Sequence, residues 1–184
     1  MIFQTFITYS KVYTSQDIFI TQCQDLRSAI FMISREIRLA GCNPMGTQGI
    51  GFLNQEDPSG KDRYDTDSDS IHFSCDLSTP PDGKTDEPNE IINYYLYPDT
   101  GYLKKLGRRT GNQGSPQPVA ENITQLVFTY FDQSNTQIDP GLYPQKIACI
   151  RISLTGESFE IDPVTHKRQS LTFNAYVRIR NEIL

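Results

Sequence analysis

The residues with the clearest capacity for chemistry are four aspartates in the run DRYDTDSDS: Asp62, Asp65, Asp67 and Asp69. Oxygen ligands at nearly alternating spacing let a loop curl around a hard cation, and calcium selects carboxylates. The run lacks the sixth-position glycine and the terminal bidentate glutamate of a helix-loop-helix calcium site. Asp76, Asp82 and Asp86 complete a site only if two loops meet; otherwise the run is a solvated acidic loop.

Other site chemistry has less behind it. The two histidines, His72 and His166, stand in no serine or cysteine context, and Gly156-Glu157-Ser158 has the wrong spacing for a nucleophile elbow. Strand alternation predicts that His72 points outward. Cysteines 23, 42, 75 and 149 are too scattered for a zinc ribbon or a redox pair. They allow three disulfide pairings; Cys42, just past a helix, and Cys75, on a strand, are the first pair to test. No catalytic set is expected, and calcium is the one cofactor the residues suggest.

The elements that must position these groups begin with a helix. Phe19, Cys23, Leu26, Ile30, Ile33, Ile37 and Ala40 follow steps of four and three, which aligns them on one side of an α-helix as a seam for packing against a sheet. Cys23, on this seam, reads as a small core residue. Gly41 supplies a left-handed stop and Pro44 blocks continuation. Arg35, Glu36 and Arg38 lie beside the seam as solvated charges. Upstream, Ile2, Phe3, Phe6, Ile7, Tyr9, Val12 and Tyr13 point all round the helical wheel, so no single sheet covers them. The helix therefore reads as a rod whose C-terminal half docks on its own domain and whose N-terminal half needs partners. It also reads as a rod lacking its first part, with Met1 an artificial start.

Strands are expected at Ile71 to Cys75, Ile91 to Tyr97, Tyr102 to Leu106, Ile123 to Phe131, Ile150 to Thr155 and Leu171 to Arg180. The last two alternate cleanly between apolar and polar residues, as in an antiparallel sheet covered on one side. Residues 107 to 118 hold too many glycines and prolines for a regular element, and Lys104, Lys105, Arg108 and Arg109 read as a solvated hairpin flank. The expectation is an α+β fold in which a long N-terminal helix, 1 to 42, packs against an antiparallel sheet formed by a β-rich head, 43 to 184.

Bulk properties narrow the function. With 184 residues, a net charge of -5 and a pI near 5.0, the chain has no basic surplus with which to neutralise phosphates, which argues against a nucleic-acid binder. The apolar N-terminus is interrupted by Gln4, Lys11, Gln16 and Asp17, so it carries neither a secretory signal nor a membrane span.

The segment DLRSAIFMISREIRLAGCNPMG resembles the helix end of minor type IV pilins of the PilW group, which are related to the J-type pseudopilins of type II secretion. The likeness continues through NEIINYYLYPDTGYLKK, PVAENITQLVFTYFD, KIACIRISLTGES and RIRNEIL. Arg38, Ala40 and Gly41 are its most specific part. The family's leader, processing-site glycine, early glutamate and apolar anchor have no counterpart in these residues. The resemblance implies a pilin-like fold and a structural role, starting or capping a pilus-like filament by helix bundling and head-loop contacts. The implied partners are other minor pilins or pseudopilins, the major pilin, and the inner membrane through an anchor absent from this chain. The implied location is inner membrane and periplasm, then a surface filament. A secretion pseudopilin and a tip adhesin tuned by calcium are the alternative roles.

Overall fold

The computed structural model describes residues 2–54, 65–99, 101–111 and 115–181. One long helix, α1 (Ile2–Ile37), precedes seven strands: β1 (Ser70–Ser74), β2 (Ile91–Pro98), β3 (Lys104–Thr110), β4 (Gln117–Phe131), β5 (Gln137–Ile138), β6 (Cys149–Glu157) and β7 (Ser170–Arg178). All pairings are antiparallel, in the order β1-β2-β3-β4-β6-β7, with short β5 added to the end of β4. This is the α+β arrangement expected: a long N-terminal helix packed against an antiparallel sheet.

The 36 residues of α1 span about 54 Å at 1.5 Å per residue. The helix ends through bonds from Leu39 N–H to Glu36 C=O (2.8 Å) and Ala40 N–H to Ile37 C=O (3.1 Å). Gly41 follows at φ 71°, a left-handed conformation that glycine reaches without a Cβ clash. Its N–H donates to Ser74 C=O, tying the helix end to β1.

Leu26, Ala29, Ile30, Ile33, Ile37 and Ala40 join the core with Ile150, Ile152 and Leu154 of β6 and Val177 of β7. The alternation of β6 turns these residues inward and leaves Arg151, Ser153 and Thr155 half-buried on the other face. Gly156 admits the helix: a Cβ there would sit 3.1 Å from Leu26 Cδ2 and 3.2 Å from the Asn122 carbonyl oxygen.

The sheet curls rather than lying flat. Tyr130 of β4 donates through its hydroxyl to Ser70 C=O of β1 (3.3 Å), and Phe128 N–H reaches Ser68 C=O (2.8 Å), although two strands separate β4 from β1 in the sheet. The one-sided covering expected from β6 and β7 holds for those two strands, whose outward residues are half-buried or exposed, but curling extends burial to both faces of β1 and β2. All five residues of β1 and the first five of β2 are buried. His72 is turned away from Ile71 and Phe73 but is 2% exposed, not a surface histidine. It stands in a row with Asn93 and Arg109, both also buried. The basic flank divides: Lys104 is exposed and Lys105 half-buried, whereas Arg108 and Arg109 are buried with Leu106 and Gly107 and form no solvated face.

The segment from 107 to 118 is more regular than its composition predicts, since β3 continues to Thr110 and β4 begins at Gln117. Gly107 makes this possible by lacking a side chain. A Cβ there would lie 2.8 Å from Pro116 Cβ and 2.9 Å from the Tyr97 ring.

Candidate functional site

The N-terminal third of α1 is its least covered part. Phe3, Phe6, Ile7, Tyr9, Val12 and Tyr13 are between 40% and 74% exposed. They spread over most of the helix circumference but not all of it, because Gln4, Thr8 and Lys11 line the remaining side, in the row that continues down to Ser15. The Ile2 side chain lies outside the described residues. A large side chain left in water forgoes about 1.5–3 kcal/mol that burial would release, so these six make this end of the rod an uncovered apolar surface.

Docking begins at Ser15. Its hydroxyl donates to Asp162 Oδ2 at 2.5 Å, and the Gln169 amide donates to the same oxygen. Asp162 sits in the loop between β6 and β7, fully buried, where its other oxygen accepts from the backbone N–H groups of Val164 (2.7 Å) and Thr165 (2.8 Å). The Ser15 hydrogen bond and those backbone bonds favour the charged form, which holds the carboxyl well below the usual carboxylate range. The rod is thus pinned at mid-length by a loop rather than by the sheet itself.

From Ser15 the buried line runs through Ile18, Gln22, Leu26, Ala29, Ile33 and Ile37. Phe19, expected on the packing seam, is instead 44% exposed, and Cys23 is half-buried. Leu26, Ile30, Ile33, Ile37 and Ala40 are buried. The departure has a geometric cause. Near its middle the helix meets the sheet along the row one residue earlier, and Ser15 and Gln22 on that row are polar, so an apolar pattern misses them. Ser15 could have been found only by its hydroxyl partner in a distant loop.

A second clasp holds the last helical turn. Glu36 accepts from Arg108 Nε on β3 (2.9 and 3.0 Å) and from the Tyr94 hydroxyl on β2 (2.5 Å), while Arg108 also donates to Asn89 Oδ1 (3.0 Å). Burial, reinforced by the Glu36 charge, raises the Tyr94 phenol well above its ordinary value, so it serves here only as a donor. Glu36 is therefore part of the packing and not a solvated charge.

The acidic run is only partly described, Asp62 lying outside the described residues. Asp67 Oδ1 accepts from the backbone of Asp69 (2.8 Å) and Ser70 (2.7 Å), which caps the entry to β1. Asp65 contributes its carbonyl to the Ser70 hydroxyl (2.6 Å). Among the described residues no group of three or more His, Cys, Asp or Glu is placed to hold a metal ion. The four cysteines are free thiols. Cys42 and Cys75 are neighbours, through bonds from Gly41 N–H to Ser74 C=O (3.0 Å) and Asp76 N–H to Cys42 C=O (2.8 Å), but are not bridged. Burial pushes the Cys75 thiol up to about 12.

Among the described residues no helix is long and apolar enough to cross a membrane. No family model matches the chain, and no curated protein matches it. Among solved structures the chain is similar to a type IV-like pilin from Thermus thermophilus, with a TM-score of 0.49 and 9% identity over 88% of this chain and 98% of that one.

Proposed function

We propose that this chain is a structural subunit of a pilus-like filament, a minor pilin of the PilW group that helps to start or cap assembly with sibling subunits. The observation that carries this reading is the helix: six large apolar side chains exposed around most of its first third, on a rod pinned by the β6–β7 loop at Ser15 and by β3 at Glu36. An apolar arc this broad suits the interior of a helix bundle, where each subunit is contacted from several directions. Aromatic residues dominate it, and each buries about 150–250 Å² in such a bundle. The motif around Arg38, Ala40 and Gly41 supports the group assignment. In the acidic loop one oxygen of Asp67 caps the entry to β1, which gives that residue a structural role of its own.

The test is a variant carrying Phe6→Glu, Tyr9→Glu and Tyr13→Glu in place of the wild-type chain. The expected result is an unchanged head, shown by an unchanged unfolding midpoint, together with loss of co-purification with sibling subunits and loss of surface filaments in electron micrographs. Filaments of normal number built with this variant would overturn the proposal.

A further inference from the structure

Two grooves of opposite charge lie at opposite ends of the same strands. One, of about 260 Å³, is bounded by α1, by Glu121 and Asn122 of β4, and by the end of β6 with the residues that follow it. It is lined by Asp17, Asp25, Glu121, Glu157 and Glu160, with Gln22 at its floor. The helical members arise from spacing, because Asp17, Thr21 and Asp25 form one row at four-residue steps and Ile18, Gln22 and Leu26 the next. Two carboxylates are occupied, Glu121 by Lys105 (2.8 Å) and Glu157 by the Tyr102 hydroxyl (2.6 Å). Asp17, Asp25 and Glu160 have no ion partner among the described residues.

Gln22 points to a ligand. It is 8% exposed, and neither its amide oxygen nor its amide nitrogen has a hydrogen-bond partner. A buried amide left unpaired is costly, and a donor entering the groove would recover part of that cost.

The second groove, of about 530 Å³, is lined by Lys146, Arg178 and Arg180, with Asp132 as its one acid. Strand register gives the relation between the two. Glu157 pairs with Ser170 at the acidic end, and Cys149 pairs with Arg178 at the basic end. Eight steps along β6 separate them by about 27 Å. The helix also runs between these ends, passing the acidic groove at 17–26 and finishing where Asn181 donates to Ala40 C=O (3.1 Å).

We propose that the acidic groove receives the basic end of a second copy of this chain, with Arg178 or Arg180 entering beside Gln22. Such a contact is heterologous: the two surfaces differ, so a pair of copies leaves one groove of each kind unfilled and free for a neighbouring subunit of the filament it starts. A guanidinium suits the site, since it donates to the Gln22 oxygen and to Asp25 or Glu160 together. This deepens the filament reading above and rests on it, adding a contact between heads to the one between helices.

The test uses the full chain, half of it labelled with ¹⁵N, joined by a carbodiimide that links amines directly to carboxylates. The expected products are mixed-isotope peptides joining Lys146 to Asp25, Glu157 or Glu160, lost in about 1 M salt, where charges are screened within about 3 Å. A variant carrying Arg178→Glu and Arg180→Glu loses them at least tenfold, as does one carrying Asp25→Lys and Glu160→Lys, and mixing the two variants restores association in sedimentation. All four positions are exposed, so the fold is retained. Absence of these links in the wild type, links joining groove to groove, or links that survive high salt would overturn the proposal. Helix bundling has a separate readout, the salt-resistant association removed by Phe6→Glu, Tyr9→Glu and Tyr13→Glu. Loss of one kind of association with retention of the other identifies which proposal has failed.

Discussion

Glu36 and Arg108, 72 positions apart in the chain, form a buried ion pair at 2.9 Å that fastens the last turn of the helix to β3. Both side chains are largely shielded, at 17% and 10% exposure, so each depends on the other for its charge to be tolerated. Glu36→Ala leaves Arg108 buried without its carboxylate and is expected to cost about 3 kcal/mol. Glu36→Leu combined with Arg108→Met should cost clearly less than either change alone predicts, because no charge remains stranded. Urea unfolding of the wild type, Glu36→Leu, Arg108→Met and the double variant measures the difference, and a double variant as unstable as the sum of the two single changes contradicts this account.

The loop clasp makes stability depend on pH. The Asp162 carboxyl is held below the usual range, chiefly by the Ser15 hydroxyl, so the folded chain binds this proton more weakly than the unfolded one. Its contribution is therefore present above about pH 4, the unfolded value, and is lost as pH falls through the lower folded value. Asp162→Asn is expected to lower the thermal midpoint at pH 7 and to flatten its decline between about pH 4 and pH 2. Parallel acid limbs for wild type and variant would show that Asp162 plays no such part.

The two halves of the helix should respond oppositely to truncation. Ile33 is fully buried, so Ile33→Ala is expected to cost about 3 kcal/mol through lost burial and the cavity left behind. Phe6, 68% exposed, should change the stability of the isolated chain by less than about 0.5 kcal/mol on replacement by Ala. Chemical denaturation at low protein concentration checks both.

Gly107 tests the close approach of β3 to its neighbours. Gly107→Ala is expected to cost about 1–3 kcal/mol, since the new methyl meets Pro116 and the Tyr97 ring inside contact distance. Gly111→Ala at the end of the same strand meets no atom within 4 Å, so its cost is confined to the strain of its φ of 68°. Calorimetry of the two variants separates crowding from backbone strain.

Cysteine reactivity follows burial. Cys75 is buried and its thiol is pushed up to about 12, so iodoacetamide at pH 8 should modify it at least about tenfold more slowly than half-buried Cys23. Mass spectrometry of partially labelled native protein gives the ratio, and equal rates would contradict the burial.

What the sequence determined by itself was periodic. Steps of three and four from Leu26 to Ile37 specify a helix and its buried side, and alternation through β6 and β7 specifies strands and their inward residues, because side-chain direction depends only on local backbone geometry. The apolar segment from Phe3 to Tyr13 is legible for the same reason: an arc of large side chains too broad for one sheet to cover is visible without knowing any partner. Only the tertiary structure decided which polar groups are spent on packing. Glu36 and Arg108 read as solvated charges until a curled sheet brings β2 and β3 over the helix end, and His72 reads as exposed until curling buries its face. Ser15, Gln22 and Asp162 carried no signal, because a hydrogen-bond partner more than a hundred residues away, or its absence, leaves no local pattern. The alignment of an acidic groove at one end of β6 with a basic one at the other likewise depends on strand register. Long-range pairing sets that register, and no window of sequence contains it.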